Sequence, residues 1–247
     1  MSKDIVDILR YDLLPFIDNT VKVKSVISDV DTYTLVLCNI KWLKVGRIIT
    51  IGSYGFQVIS INYLTNEVVV NIPNPLAVIK KHDVGTIIRP IFIHGTKYTA
   101  NVEWLKSIQF DTNTGLPLIW LYEYINEGLN EQFSPYDSEA NLRLFFLDGI
   151  DLTGDSLVNE YQNSDENFQI RKQGVKPMLS LSDSFLDAVD ESYKVERSSS
   201  SNRTTFSIFS NESTRNNEII YERILDANLG GVEIRPTLSV YKGVECC

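Results

Sequence analysis

Histidine is almost missing from this chain: His82 and His94 are the only two in 247 residues. A histidine-based acid–base enzyme or a zinc site needs at least one of them with partners at ligand spacing. His82 stands in Lys80-Lys81-His82-Asp83-Val84-Gly85 and His94 precedes Gly95, with no His-x-x-x-His, His-Glu or Cys-x-x-Cys pattern nearby. Both are therefore expected to be structural or surface residues. Cysteine is equally sparse. Cys38, Cys246 and Cys247 are the only three, which is no disulfide framework. The pair Cys246-Cys247 is expected to be a reduced tail, with cross-linking or metal binding beside a neighbouring chain as the alternatives.

Long apolar runs are lacking too. No stretch approaches the roughly 18 uncharged apolar residues that cross a bilayer, so no membrane partner is expected. The start, Met1-Ser2-Lys3-Asp4-Ile5-Val6-Asp7, is interrupted by charges and holds no apolar core of signal-peptide length. That predicts a protein made and kept in a cytoplasm, or packaged from one. Asn202-Arg203-Thr204 and Asn211-Glu212-Ser213 fit the glycosylation pattern, but without a secretory signal they carry almost no weight. Glycine-rich phosphate loops, a Gly-x-Ser-x-Gly elbow and a Walker sequence are absent. Positive charge is in deficit: 23 Lys+Arg against 32 Asp+Glu leave a net charge of −9. Such a surface repels phosphate and disfavours general nucleic-acid binding by counterion release, while it suits a partner with a basic face.

What is present is ordinary globular composition, 43% hydrophobic and 22% charged, in a chain long enough for one large domain or two. Residues 3–14 place Ile5, Ile8, Leu9 and Leu13 on one face, with Ser2 as N-cap, and predict a short amphipathic helix stopping at Pro15. From Thr20 the period becomes two. Val21, Val23 and Val26 alternate with polar residues, as do Tyr33, Leu35 and Leu37, followed by strand-like runs at 47–51, 56–61 and 68–71. β-Branched and aromatic residues in this pattern suit a pleated, half-buried surface, and the short spacing predicts a small barrel or meander.

A second unit is expected from residue 86. Residues 86–93 read as one strand, demoted to an edge or bulge by Pro90. Residues 100–108 read as a helix, and 116–124 and 142–147 as central strands. Residues 126–139 read as a loop, and 150–174 are polar. The best helix runs over 175–192, with Met178, Leu181, Phe185, Leu186 and Val189 sharing a face. Residues 203–209, 218–221 and 232–241 close the chain as strands. Leu229-Gly230-Gly231 is the turn before the last of them, and 210–217 is a polar connection. The expected class is α+β, β-dominated: residues 1–85 form a helix and small barrel, and 86–247 a larger mixed domain.

Three acidic groups invite a chemical reading, and each has a plainer one. Asp148, Asp151 and Asp155 suggest calcium, but the spacing does not fit an EF-hand loop, so a solvated loop is expected. Asp183, Asp187 and Asp190 lie at helical spacing and read as a solvated helix face. Glu123 ends an apolar strand and has no identifiable second carboxylate for glycosidase chemistry. No catalytic, cofactor-binding or metal-ligating residue is therefore expected, and no cofactor. Aromatics are 11% and concentrate in runs such as Trp120–Tyr122 and Phe145-Phe146, where a core role is expected over a sugar platform.

Four stretches resemble a family of structural proteins in tailed bacteriophages of Bacteroidetes, crAss-like phages included. They are Pro117-Leu118-Ile119-Trp120-Leu121-Tyr122-Glu123; Ser138-Glu139-Ala140-Asn141-Leu142-Arg143-Leu144-Phe145-Phe146-Leu147; Lys176-Pro177-Met178 with Phe185; and Leu229-Gly230-Gly231-Val232-Glu233-Ile234 before Thr237-Leu238. In order and spacing the similarity covers roughly residues 90–245. It implies a virion component assembled in the host cytoplasm, a homo-oligomeric ring in the neck or tail joining portal and capsid to tail. Its partners would be further copies of itself and neighbouring neck or tail proteins, with DNA only as passing cargo. The alternatives are a tail-associated carbohydrate- or receptor-binding module and, behind it, a glycan-cleaving tail enzyme. The resembling stretches are packing motifs, so they transfer no catalytic residue.

Overall fold

In the computed structural model, the period-two segment that begins at Thr20 closes on itself. The structure describes residues 4–108, 116–123, 125–129, 136–149, 174–198, 202–206, 210–215, 218–223 and 229–241. Strands β1 (Thr20–Ser28), β2 (Thr32–Leu37), β3 (Ile48–Ile51), β4 (Tyr54–Asn62), β5 (Glu67–Asn71) and β6 (Val84–Ile87) form a barrel in the order β1-β2-β5-β4-β3-β6. Every pairing is antiparallel, and β6 returns to β1 through Thr20↔Thr86. Alternation sends Val21, Val23, Leu35, Leu37, Ile49, Phe56, Val58, Val68 and Val70 inward, where all are buried. Closure leaves no unpaired edge in this sheet. Gly85 permits it: a Cβ there would lie 2.7 Å from Ile49 Cγ2 and 2.9 Å from Ile51 Cγ1. Trp42 is fully buried, and its Nε1 donates to the Ile88 carbonyl at 2.8 Å. The ends of the barrel segment are tied directly, since Asn19 Nδ2 donates to Ile87 O at 2.7 Å and Ile87 N to Asn19 O at 3.0 Å.

Here the structure divides what the sequence joins. The run 86–93 is two strands: β6 completes the barrel, and β7 (Ile91–Gly95) starts elsewhere, with Pro90 between them. The chain forms two units, Asp18–Arg89 and Met1–Ile17 with Pro90–Cys247. The N-terminal helix thus belongs with the larger unit rather than with the barrel. Its apolar face, Ile5, Ile8, Leu9 and Leu13, is buried there, and Lys194 Nζ reaches Asp12 Oδ2 at 2.9 Å. The cap is Asp4, not Ser2: its Oδ1 accepts from Asp7 N at 2.8 Å. One α-turn, α1 (Ile5–Asp7), leads into a π-helical stretch (Ile8–Leu13) and a 3-10 turn (Leu14–Phe16). Pro15 sits in the first turn of that last piece, where its missing N–H is no loss.

In the larger unit, a five-stranded sheet runs β13 (Asn202–Phe206), β16 (Leu229–Arg235), β11 (Leu144–Gly149), β8 (Leu118–Tyr122), β7. A four-stranded sheet runs β12 (Val195–Arg197), β17 (Thr237–Tyr241), β10 (Tyr136–Asn141), β9 (Asn126–Leu129), and β14 (Ser210–Arg215) pairs with β15 (Glu218–Arg223). Helix α2 (Lys97–Ile108) makes the crossover between β7 and β8, which are parallel. Its Ala100 and Trp104 pack with Trp120, Phe145 and Leu147 on one face of the sheet. Helix α3 (Lys176–Asp190) packs on β11 and β16, and Phe185 meets Phe146 edge-on at 5.6 Å. Burial on both faces explains why Leu118–Leu121 and Leu144–Leu147 are unbroken apolar runs.

The α+β, β-dominated class is as expected, and so is the burial of Met178, Leu181, Phe185, Leu186 and Val189 on α3. Four local expectations are corrected. The loop at 126–139 contains β9 and most of β10, and the polar connection at 210–217 contains β14. The single strand at 232–241 is two, β16 and β17, which leave Pro236 for different sheets. The expected turn at Leu229-Gly230-Gly231 lies inside β16, because β11 passes so close that a Cβ on Gly231 would stand 1.9 Å from Phe146 O.

Candidate interaction site

The barrel's first strand is irregular. Its register with β2 shifts from Val23↔Leu37 to Ser25↔Val36, so Lys24 is the extra residue of a β-bulge. Lys22 and Lys24 are both exposed beside it. The loop entering β6 brings His82 to the same place, since His82 N donates to Val23 O at 2.8 Å. From the other side Asn66 O accepts from Leu37 N at 3.0 Å. His82 and Asn66 hold φ of 74° and 57°, a left-handed region that these residue types tolerate better than most. The result is a cleft of about 380 Å³, walled by Lys22, Lys24 and His82 on one side and Thr65 and Asn66 on the other, with Cys38 exposed at its rim. Of the two neighbouring carboxylates, Glu67 accepts from Thr65 Oγ1 at 2.8 Å and Asp83 Oδ2 accepts from Lys80 N at 2.7 Å. Among the described residues Lys22, Lys24 and His82 form no ion pair.

Charge is divided between the two units. Residues 18–89 hold 8 Lys+Arg against 5 Asp+Glu, a net +3, and the other residues hold 15 against 27, a net −12. The overall −9 therefore conceals a basic barrel.

Asp18, at the barrel's start, has a perturbed proton affinity. Burial pushes it up, but hydrogen bonds from the Thr20 hydroxyl and N–H, with Lys41 at 2.9 Å, outweigh this and hold it below the ordinary value.

The sequence-selected residues do not converge. His82 lies in the barrel cleft. His94 is half-buried on β7, and its Nε2 has no hydrogen-bond partner among the described residues. Glu123 is exposed just beyond β8. Asp148 corrects the solvated-loop reading: it is fully buried in β11, with Oδ1 accepting from Gly149 N at 2.8 Å. Asp151, Asp155, Cys246 and Cys247 lie outside the described residues. Asp183, Asp187 and Asp190 are exposed on α3, with Arg203 bonded to Asp183 and Arg197 to Asp190. Among the described residues no group of three or more His, Cys, Asp or Glu is placed to hold a metal ion, and no helix is long and apolar enough to cross a membrane.

Sequence reasoning missed a buried ionic group. Glu233 on β16 is 4% exposed and accepts from both Arg143 Nε and Arg235 Nε at 2.6 Å. The Arg143 guanidinium also lies over the Phe145 and Tyr122 rings, 4.8 and 5.5 Å from their centroids. Glu233 and Arg235 were readable as same-face neighbours two apart on a strand, but nothing local points to Arg143, ninety positions away.

In comparisons with family models, curated proteins and solved structures, nothing matches this chain.

Proposed function

We propose that this protein is a structural component of a tailed-phage virion, forming a homo-oligomeric ring in the neck or tail that joins portal and capsid to tail. The observation that carries the reading is where the four resembling stretches fall. Three supply β8, β11 and β16, which are adjacent strands of one sheet, and the fourth supplies α3, which packs on two of them. Stretches scattered over more than a hundred residues of sequence thus form one framework, as expected if the resemblance reflects a shared core.

A further feature favours assembly over sugar binding. Trp120 and Phe145 are buried at 2% and 4% exposure and stack at 5.1 Å, so these aromatics build core rather than a sugar platform.

The test is quantitative peptide mass spectrometry of purified particles. The ring reading expects a fixed copy number near that of other ring components, on the order of six or twelve per particle, such as a closed cyclic assembly allows. Complete absence from particles would overturn it.

A further inference from the structure

We infer that the basic cleft of the barrel receives the acidic end of α3 from a second copy of the chain, in a head-to-tail contact. The inference rests on the oligomer reading and specifies its surfaces.

The cleft gathers Lys22 and Lys24, which form no ion pair among the described residues, and the two carboxylates beside it are engaged locally, Glu67 by the Thr65 hydroxyl and Asp83 by the Lys80 N–H. Two lysines held together in this way suit an anion brought from outside. The end of α3 has the opposite imbalance. Its last turn holds no basic residue, Asp187 and Asp190 lie in it, and Glu191 is the C-cap. Carboxylates at a helix C-terminus oppose the helix dipole. Asp183, Asp187 and Glu191 follow one another at i, i+4, where like charges repel. Arg203 answers Asp183 and Arg197 answers Asp190. Asp187 and Glu191 remain exposed and form no ion pair among the described residues. Asp187 and Glu191 on one patch and Lys22 and Lys24 on the other form no ion pair among the described residues, and each pair supplies the charge that the other lacks.

Asp187 and Glu191 lie four residues apart at the end of α3, about 6 Å along the axis, and Lys22 and Lys24 lie two apart on β1, with Lys24 in the bulge. The +3 and −12 units add long-range steering toward this orientation over a like-to-like one. Because the two faces differ, the contact is heterologous, and it yields a ring wherever its rotation closes.

The test uses light scattering behind size exclusion on the full chain at about 50 mM and about 500 mM salt, which bracket strong and weak screening. The inference expects the wild type to assemble, more so at low salt, and K22E/K24E and D187K/E191K each to stay monomeric. Mixed in equal amounts, the two variants should assemble together, because each reversed patch then meets its reversed complement. Circular dichroism checks their folding. If a reversal fails to fold, K22Q/K24Q and D187N/E191Q replace it and should raise the midpoint concentration for assembly at least about tenfold. Assembly of both variants as readily as wild type would overturn the docking and leave the ring reading standing. A wild type that is monomeric at both salts would overturn both.

Discussion

Arg143 and Glu233 meet at 2.6 Å although ninety residues separate them, and the bond seals the end of the β11–β16 pairing. Glu233 is almost wholly buried, whereas the side chains of its two arginine partners are 41% and 61% exposed. The arrangement holds a desolvated carboxylate with two cations that still touch water. Its value is chiefly negative: losing a partner leaves charge in a site that water cannot reach.

That asymmetry makes a mutational prediction. Arg143→Ala removes one cation and the guanidinium over two rings, and should cost about 2 kcal/mol, or roughly 4–8 °C in Tm for a chain this long. Arg235→Ala should cost less, because its side chain is more exposed and lies over neither ring. Thermal unfolding followed by circular dichroism ranks the two. Equal losses would show that the ring contacts contribute nothing.

Gly231 allows β16 to lie against β11. With a Cβ 1.9 Å from the Phe146 carbonyl oxygen, Gly231→Ala must push strands of the central sheet apart. The expected cost is about 3 kcal/mol or more. Gly52→Ala is the control: its φ is +60° and nothing lies within 4 Å, so only backbone strain of about 1 kcal/mol applies. Denaturant midpoints for the two should differ accordingly.

Lys194 ties the segment after α3 to the N-terminal helix. The hydrogen bond that Lys194 donates to Asp12, with the carboxylate's charge, outweighs partial burial and raises the Lys194 ammonium above its ordinary 10.5. A raised folded value means that the contribution is complete below about 10.5 and is lost as pH climbs through the folded value. Stability of the wild type should therefore fall more steeply than that of Lys194→Met above that point. Urea titrations at about pH 9 and about pH 11, on either side of an amine's roughly 10.4, measure it.

Asp18 works in the opposite direction. Its folded value lies below 3.8, so its contribution is present above 3.8 and is lost as pH falls through the folded value. The side chain is 57% exposed, so solvent keeps the effect small. Asp18→Asn should make the fall of stability toward acid only slightly shallower, and a large change would mean that the turn geometry, not the charge, is what matters.

How much of this was readable in the residues depends on how each segment is buried. Val21 to Val70 alternate because a barrel strand has one inner face, and alternation is a local signal. Asn126–Leu129 and Tyr136–Asn141 are joined to their neighbours by backbone bonds, which any sequence can make, so a polar composition reads as loop. Gly230-Gly231 could signal either a turn or a close strand approach, and only Phe146 decides. Asp148 beside Gly149 looks like a solvated loop until β11 is placed between its neighbours. The cleft is the least legible feature, since it needs a bulge at Lys24, a left-handed residue at 66 and another at 82 to arrive together.

The reciprocal bonds between Asn19 and Ile87 also bear on the order in which the chain is made. They join the two ends of the barrel segment, so the barrel is an insertion whose contacts are complete once residue 89 has left the ribosome. The N-terminal helix is synthesised earlier yet has to wait, because α3 lies nearly ninety residues further on. A translating ribosome would thus carry a finished barrel behind an unsatisfied apolar helix, and a segment made before the barrel would settle after it.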